Sequence, residues 1–284
     1  MKVVLLVPAF MKENTRKYNF IGMNYAKEHY PVDEIIVNDQ GFDETDYLPG
    51  FTYIGHHKEG QGFAKARNQL LEYFYNSDAD YAIWLDANSR IGNSSLNDFY
   101  TLVNALKSGK VQIDVIFSTL GIHISSERIT AKKMKDFKDN IYLVNFATGY
   151  DYMHGLVIKN FKKYYGITPY IDMRCDPRKG TSEDIYFARL LRKMFDYRLL
   201  PTIVVAKPSN KASTWVANQS GYKYPKPDYN TIDAYVDEYL KSHQVLHRSE
   251  MNKTIIVPRE EKYKELIKGY KPRPKVKSKG LLKE

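Results

Sequence analysis

The sequence predicts an α/β protein whose sheet is mostly parallel and flanked by helices, and three observations lead to this prediction. The chain opens with an uninterrupted aliphatic run, Val3 to Val7, as expected of a strand that is covered on both faces. Over the first 90 residues, short apolar runs alternate with segments of helical spacing in the order β-α-β-β-α-β. Polar residues or glycines follow these runs, which is typical of the ligand-binding edge of a parallel sheet.

The elements of this first part follow from local patterns. Pro8 ends the first strand, and the helical spacing that follows stops before Pro31. A second helix begins after Gly60-Gln61-Gly62, because apolar side chains recur three and four residues apart from there on. In chain order we predict a strand over 3–7, a helix over 14–29, strands over 33–37 and 51–54, a helix over 63–75 and a strand over 80–85.

The pattern is looser in the second part of the chain. Residues 125–140 are polar and rich in lysine, as in an excursion from the sheet or a further helix. Elsewhere, apolar residues recur with helical spacing or form short β-branched runs. These patterns predict helices over 96–107 and 181–195, and strands over 111–120, 141–147, 154–158 and 199–205.

Composition and charge narrow the class of protein. The 284 residues are 43% hydrophobic, which excludes collagen-like, disordered and disulfide-scaffold proteins. The net charge of +10 favours an anionic partner, such as a nucleic acid, a nucleotide-sugar or an acidic membrane surface. Cys175 is the single cysteine, so we expect a reducing compartment. No run reaches the roughly 20 apolar residues of a membrane helix, and we expect a cytoplasmic protein in a bacterium or a virus-infected cell.

The C-terminal segment differs in composition from the rest. Residues 250–284 contain eleven Lys or Arg and five Glu, so they supply most of the net positive charge. Within them, residues 271–279 hold two prolines and almost no apolar residues, which predicts an extended or disordered piece. We therefore predict one domain over 1–248, with halves 1–92 and 93–248, and a basic extension over 249–284.

Four clusters of polar or small residues are predicted at or beside the carboxyl ends of the strands. Because ligands of open α/β sheets bind beyond these ends, we expect the clusters to meet at one edge. Lys65 and Arg67 would suit a diphosphate there, while Asp39 and Asp86 would accept hydrogen bonds from a sugar or a base. Taken singly, Asp39 and Asn88 also fit turns, and Arg67 fits a solvated helix face. The clusters are Pro8-Ala9-Phe10, Asn38-Asp39, Gly60-Gln61-Gly62 and Asp86-Ala87-Asn88.

The order and spacing of these motifs resemble the nucleotide-sugar half of a GT-A glycosyltransferase, in particular the large inverting family that makes polysaccharides and glycoconjugates. The resemblance covers about residues 3–92 and resumes at Glu183-Asp184. It implies a Rossmann-like nucleotide-diphospho-sugar transferase fold and a UDP-sugar donor. The motifs that carry it are Pro8-Ala9-Phe10, Asp39, Gly62, Ala66-Arg67-Asn68, Trp84-Leu85-Asp86-Ala87-Asn88 and Glu183-Asp184.

The resemblance implies roles for these residues in donor binding. Asp39 would bind the nucleobase, expected to be uracil, with Arg67 nearby. Asp86 would be the first Asp of the D-x-D motif and would contact the ribose or a metal. The implied nucleotide-sugar-binding residues are Pro8, Ala9, Phe10, Asp39, Gly62, Arg67, Asp86 and Asn88.

The resemblance also implies a divalent metal, Mn²⁺ or Mg²⁺, as cofactor. Asn88 stands where the family has a second Asp, and its carbonyl can ligate a hard cation but brings no charge. His243 and His247 lie four residues apart, so they would share a face of a helix. In several GT-A enzymes a C-terminal His completes the metal site. The implied metal ligands are therefore Asp86, Asn88 and His247.

Glu183 and Asp184 admit two interpretations. Thr181 followed by Asp184 resembles a capping box, and acidic residues in a first helical turn suit the helix dipole. In the family that the chain resembles, an acidic pair at this place supplies the catalytic base. Inverting transfer needs one carboxylate to take the proton of the acceptor hydroxyl. That resemblance implies Asp184 as the base and Glu183 as an orienting group.

Several functions remain open at this point. The turn after the first strand lacks the glycines of a dinucleotide-binding site or of a pyrophosphorylase, and the chain has no P-loop. The acceptor of a transferase is expected to be anionic, and hydroxymethylated bases of DNA come first, as for the glycosyltransferases of bacterial viruses. A peripheral-membrane enzyme acting on a polysaccharide or a lipid-linked glycan is an alternative. A non-enzymatic nucleic-acid-binding protein is another, given 24 tyrosines and the basic extension.

Overall fold

A computed structural model describes residues 1–11, 13–58, 60–92, 96–121, 140–142, 153, 155–195, 197–206, 225–243 and 256–258. The strands in this part are β1 (Val3–Phe10), β2 (Glu34–Gln40), β3 (Thr52–His57), β4 (Tyr81–Trp84), β5 (Arg90–Ile91), β6 (Val115–Gly121), β7 (Asn140–Tyr142), β8 (Val157–Lys159), β9 (Tyr197–Ala206) and β10 (Ile256–Pro258). The helices are α1 (Glu13–His29), α2 (Phe63–Asn76), α3 (Leu96–Lys107), α4 (Phe161–Tyr165), α5 (Glu183–Met194) and α6 (Tyr229–Ser242).

One sheet of eight strands organises the molecule, in the order β3-β2-β1-β4-β8-β6-β9-β5. Strands β3, β2, β1 and β4 are mutually parallel, and β6 pairs in parallel with β9. The short strand β8 lies antiparallel to both β4 and β6 and so joins the two parallel blocks. The predicted fold class, a mostly parallel sheet flanked by helices, is therefore confirmed.

The helices cover both faces of this sheet. Side chains of β1 alternate between the faces, as expected of a pleated strand. Val4 and Leu6 pack in the hydrophobic cluster that contains α2, α5 and α6. Val3 and Leu5 pack on the other face with α1 and α3. Strand β1 is thus buried on both sides, which explains its uninterrupted aliphatic sequence.

The sequence predicted the first part of this fold well and the second part less well. The β-α-β-β-α-β order is confirmed, and the helix over 96–107 has the predicted bounds. The strand predicted over 111–120 begins only at Val115, and the helix predicted over 181–195 is the shorter α5. The elements β5, α4, α6 and β10 were not predicted. The predictions for 125–139, 143–147 and 271–279 lie outside the described residues.

In the part of the chain that the structure describes, no helix is both long and apolar enough to cross a bilayer.

Helix α1 approaches the segment after β4 so closely that Gly22 leaves no room for a side chain. A Cβ atom at Gly22 would overlap the carbonyl oxygen of Ala87 and lie 3.3 Å from that of Ser89. Both carbonyls belong to the backbone, which cannot move aside as a flexible side chain can. The contact therefore fixes the position of the segment that carries Asp86 and Asn88.

We expect the substitution Gly22→Ala to lower the free energy of unfolding by about 1–3 kcal/mol, as overpacking of a tight contact does. Alanine favours the helix more than glycine does, and this gain offsets part of the loss. The measurement is urea unfolding followed by circular dichroism. Asn24→Ala, at an exposed position of the same helix, is the control and should leave stability nearly unchanged. Equal stability of the two variants would contradict the close packing.

Candidate functional site

Pairing of β1 with β2 and β4 brings three of the predicted clusters together. In the parallel register Pro8 lies beside Asn38 and Ala9 beside Asp39. On the other side of β1, the backbone N–H of Ala87 donates to the carbonyl of Pro8 at 3.3 Å. The ends of β1, β2 and β4 are thus adjacent at one edge of the sheet, as predicted.

The fourth cluster reaches the same edge from the start of α2. The backbone N–H of Gln61 donates to Oε1 of Gln40 at 2.7 Å, which ties the loop to the end of β2. A Cβ at Gly60 would lie 3.2 Å from the ring of Phe10, so this loop also packs against the end of β1. Gly62, with a φ of 87°, then turns the chain into α2. All four clusters therefore meet, and the predicted convergence is confirmed.

Arg67 of α2 forms the centre of a buried ionic cluster. Its Nη1 donates to Oε1 of Glu183 at 2.7 Å and also contacts Oδ1 of Asp184. Its Nη2 lies 3.6 Å from Oδ1 of Asp86, and its guanidinium lies 5.8 Å from the ring centre of Trp84. Arg67 is only 4% exposed, so the interpretation of this residue as part of a solvated helix face is wrong.

The acidic pair belongs to the first turn of α5 but does not serve as its cap. The N-cap is Ser182, which makes no side-chain capping hydrogen bond, and the hydroxyl of Thr181 instead donates to the carbonyl of Asp176. The capping-box interpretation is therefore wrong. Both the helix dipole and Arg67 stabilise negative charge on Glu183 and Asp184 at this place.

The three carboxylates around Arg67 differ in accessibility. The side chain of Glu183 is 5% exposed, that of Asp184 is 12% exposed and that of Asp86 is 21% exposed. Asp184 and Asp86 can therefore be reached from the edge of the sheet more easily than Glu183 can. With every group ionised, one positive charge faces three negative charges, so the cluster retains a negative excess.

Some buried polar atoms of this cluster lack a hydrogen bond. Among the described residues, nothing donates to Oε2 of Glu183, and nothing accepts from Nε of Arg67 or from Nε1 of Trp84. Buried polar atoms are nearly always hydrogen-bonded in folded proteins, and exceptions often mark sites that bind water or a ligand. No sequence pattern indicates this property, because it depends on the packing of distant segments.

Asp39 occupies a different environment from Arg67. It is completely buried, and its Oδ1 accepts a hydrogen bond from the backbone N–H of His56 at 2.8 Å. Its Oδ2 accepts from the hydroxyl of Tyr47 at 2.7 Å and lies 2.9 Å from Nδ1 of His56. The hydrogen bond to this carboxylate raises the pKa of Tyr47 to about 12. The contacts of Arg67 are with Asp86 and the acidic pair, whereas Asp39 has Tyr47 and His56 as partners.

A metal site was predicted at Asp86, Asn88 and His247. Asp86 and Asn88 are partly exposed at the end of β4, while His247 lies outside the described residues. Within the described ranges, no three His, Cys, Asp or Glu side chains are placed to hold a metal ion together. Two oxygen donors still fit Mg²⁺ or Mn²⁺, which are often held by one or two carboxylates together with phosphate oxygens of the substrate.

Comparisons with known proteins place the fold. No model of a known protein family matches the sequence, and no curated protein matches it either. The structure is similar to that of S. aureus TarS 1–349 in complex with UDP-GlcNAc, with a TM-score of 0.55 and 15% sequence identity. The match covers 94% of this chain and 70% of that chain. S. aureus TarS 1–349 in complex with UDP also matches, with a TM-score of 0.48, 13% identity and coverage of 86% and 72%. The first likeness shows that the chain has the GT-A-type fold.

We expect Arg67→Met to destabilise the protein by about 3–5 kcal/mol, because it leaves two buried carboxylates without their cation. A triple variant, Arg67→Met with Glu183→Gln and Asp184→Asn, also neutralises these carboxylates. It should recover most of the stability that Arg67→Met loses. The measurement is the free energy of unfolding in urea.

The matched control for this prediction is Arg174→Met. Arg174 also pairs with two acidic residues, Asp172 and Glu238, but its side chain is 47% exposed. Its removal should change stability little, because exposed ion pairs are screened by water. A triple variant as unstable as Arg67→Met alone would show that lost packing, and not unpaired charge, dominates.

Proposed function

We propose that the protein is a glycosyltransferase that moves a sugar from a nucleoside-diphosphate donor, with UDP-sugar as the expected donor, to an acceptor hydroxyl with inversion. The observation that carries this proposal is the buried contact of Arg67 with Asp86 on one side and with Glu183 and Asp184 on the other. It joins the end of β4, where a donor would bind, to an acidic pair that can act on an acceptor. The GT-A-type fold, shared with a protein studied in complex with UDP-GlcNAc, supports the proposal.

The edge of the sheet offers separate places for the parts of the donor. The nucleoside would lie over Pro8-Ala9-Phe10 and near Asp39, and the ribose or a metal would contact Asp86. The diphosphate would lie near Gly62, where α2 begins without an acidic residue in its first turn. The free N–H groups of such a turn favour negative charge, so the beginning of α2 suits a diphosphate.

The acidic pair would carry out the proton transfer. We assign Asp184 as the base, since it is the more accessible of the two carboxylates. It takes the proton of the acceptor hydroxyl while that oxygen bonds to the anomeric carbon from the face opposite the diphosphate. The bond from the anomeric carbon to the diphosphate breaks, and its electron pair leaves with the nucleotide. Arg67 and Glu183 would hold the base in position.

A divalent metal fits this arrangement. Asp86 and Asn88 would hold it together with phosphate oxygens, and His247 stays a predicted third ligand. When bound, the metal supplies positive charge that neutralises the leaving diphosphate. Arg67 cannot replace that charge, because its guanidinium is already committed to carboxylates.

We propose an anionic acceptor on the basis of the net charge of +10. Hydroxymethylated bases of DNA are the first class to test, and polysaccharide or lipid-linked glycan is the alternative. The domain over 1–248 would hold the catalytic site, and the basic extension over 249–284 would contact the acceptor. A purely nucleic-acid-binding protein would have no use for three carboxylates gathered around one buried arginine, which favours the enzyme.

We expect UDP to bind in the presence of Mn²⁺, and Asp86→Ala to weaken this binding at least 10-fold by removing an oxygen donor. Isothermal titration calorimetry with UDP, with and without Mn²⁺, measures the effect. Asp78→Ala is the matched control, since Asp78 is an exposed carboxylate that pairs with Lys2, the residue before β1. If UDP and UDP-GlcNAc both fail to bind with any divalent metal, the nucleic-acid-binding alternative is favoured instead.

We expect Asp184→Asn to lower the rate of transfer by about 100-fold or more, the range for loss of a general base, while UDP affinity stays unchanged. Transfer of labelled sugar is measured on hydroxymethylated DNA, polysaccharide and lipid-linked glycan. Asp233→Asn, at a partly exposed acid that pairs with Arg189, is the control and should keep full activity. A rate for Asp184→Asn within a few-fold of the wild-type rate would exclude this carboxylate as the base.

A further inference from the structure

We propose that His56 makes the hydrogen bond to the nucleobase of the donor, and that Asp39 acts through His56 by holding its imidazole in one tautomer. The base-reading atom is Nε2 of His56, which accepts a hydrogen bond from an N–H of the base. This inference rests on the proposed function, since it assigns one contact within the donor site.

The first argument is that Asp39 has no accessible acceptor left for a base. Its carboxylate is 0% exposed and already receives hydrogen bonds from the backbone of His56 and from the hydroxyl of Tyr47. A nucleobase could touch Asp39 directly only if one of these two residues moved away. His56 and Tyr47 are both exposed beside this buried carboxylate, so we expect an incoming base to meet them first.

The second argument is the way in which His56 is held. Oδ1 of Asp39 accepts a hydrogen bond from the backbone N–H of His56 at 2.8 Å, and Oδ2 of Asp39 lies 2.9 Å from the ring Nδ1. His56 has a φ of 47°, and in the part of the chain that the structure describes it is the one non-glycine residue with positive φ. Positive φ is uncommon in residues other than glycine, although histidine adopts it more often than most, and such conformations concentrate at functional sites.

The third argument concerns the chemistry of the exposed ring atom. A neutral imidazole has one N–H donor and one acceptor, and a carboxylate next to Nδ1 keeps the proton on Nδ1. Nε2 is then the acceptor, on a side chain that is 64% exposed. The ring of Tyr47 lies 6.3 Å from that of His56 and is itself partly exposed, which offers an aromatic surface beside the acceptor.

The position of His56 agrees with this role. Strand β3 ends at His57 and pairs with β2, where His57 lies beside Gln40, so His56 belongs to the same edge of the sheet as Asp39. The neighbouring His57 cannot serve in its place, because its Nε2 contacts the side-chain amide of Gln69 at 3.0–3.3 Å. Of the two adjacent histidines, His56 is the more exposed.

An acceptor at this place distinguishes bases by their N3 atom. Uracil carries a hydrogen on N3 and can donate, whereas N3 of cytosine has no hydrogen and can only accept. A methyl group on N3 of uracil removes the donor without changing the rest of the base. We therefore expect the wild-type protein to bind UDP at least 10-fold more tightly than either CDP or 3-methyl-UDP.

The test is a calorimetric titration of UDP, CDP and 3-methyl-UDP, all with Mn²⁺, against the wild type, His56→Gly and His56→Asn. Glycine and asparagine tolerate positive φ, so both variants keep the local backbone. We expect the two His56 variants to bind UDP and 3-methyl-UDP with affinities that agree within about 3-fold, because Nε2 of the imidazole is no longer there to accept a hydrogen bond. His57→Ala is the matched control and should keep the full preference for UDP.

Asp39→Asn tests Asp39 as a positioning residue. An amide N–H facing Nδ1 would move the ring proton to Nε2 and convert the acceptor into a donor, so the preference for UDP over CDP should shrink or reverse. If Asp39 had a purely structural role, Asp39→Asn would weaken the binding of all three nucleotides alike and leave the ratios of their affinities unchanged. That result would overturn the positioning role of Asp39.

The outcomes separate this inference from the proposed function. Binding of UDP with equal binding of 3-methyl-UDP by the wild type would overturn the role of His56 and leave the donor site intact. Retention of the UDP preference in His56→Gly would also overturn it, in favour of a direct contact with Asp39. A wild type that binds none of the nucleotides would instead remove the proposed donor site and this inference with it.

Discussion

The ion pairs of Arg67 determine how the rest of the site is arranged. A guanidinium that is 4% exposed needs compensating charge, and the carboxylates that supply it come from the end of β4 and the start of α5. Removing Arg67 would leave the buried carboxylates without a compensating charge, so their positions depend on this one cation. Helix α2, the sheet edge and helix α5 are therefore held in register by a single side chain, and the proposed donor and acceptor groups are placed by the same contact.

Two buried charges lie at this edge of the sheet, and each acts on a more exposed neighbour. Arg67 contacts Asp184, whose side chain is 12% exposed, and Asp39 contacts His56, whose side chain is 64% exposed. In both cases the buried charge contacts a partner that is more exposed than itself. Fixed partners behind a surface group set its orientation and the directions of its hydrogen bonds.

Sequence patterns predicted those parts of the molecule that depend on local spacing. The order of elements up to β4 and the convergence of four strand-end clusters followed from alternating runs and turn residues. The partners of Arg67 did not, since Glu183 is 116 residues away and nothing local distinguishes a buried arginine from a solvated one. Helix α6 was missed because its apolar residues Ile232, Val236 and Leu240 are separated by tyrosines and acids. No local pattern marks His56 either, because its contact with Asp39 depends on the pairing of β3 with β2.

Strand β8 limits how the molecule can move. Its three residues pair with β4 on one side and, through two of them, with β6 on the other, so hydrogen bonds run without a break from the donor-side block to the second block. A hinge between the two blocks would have to break this ladder and expose the buried residues Val157 and Ile158. The two blocks are therefore joined through the sheet itself, and a change in their relative position would require strand pairing to be broken.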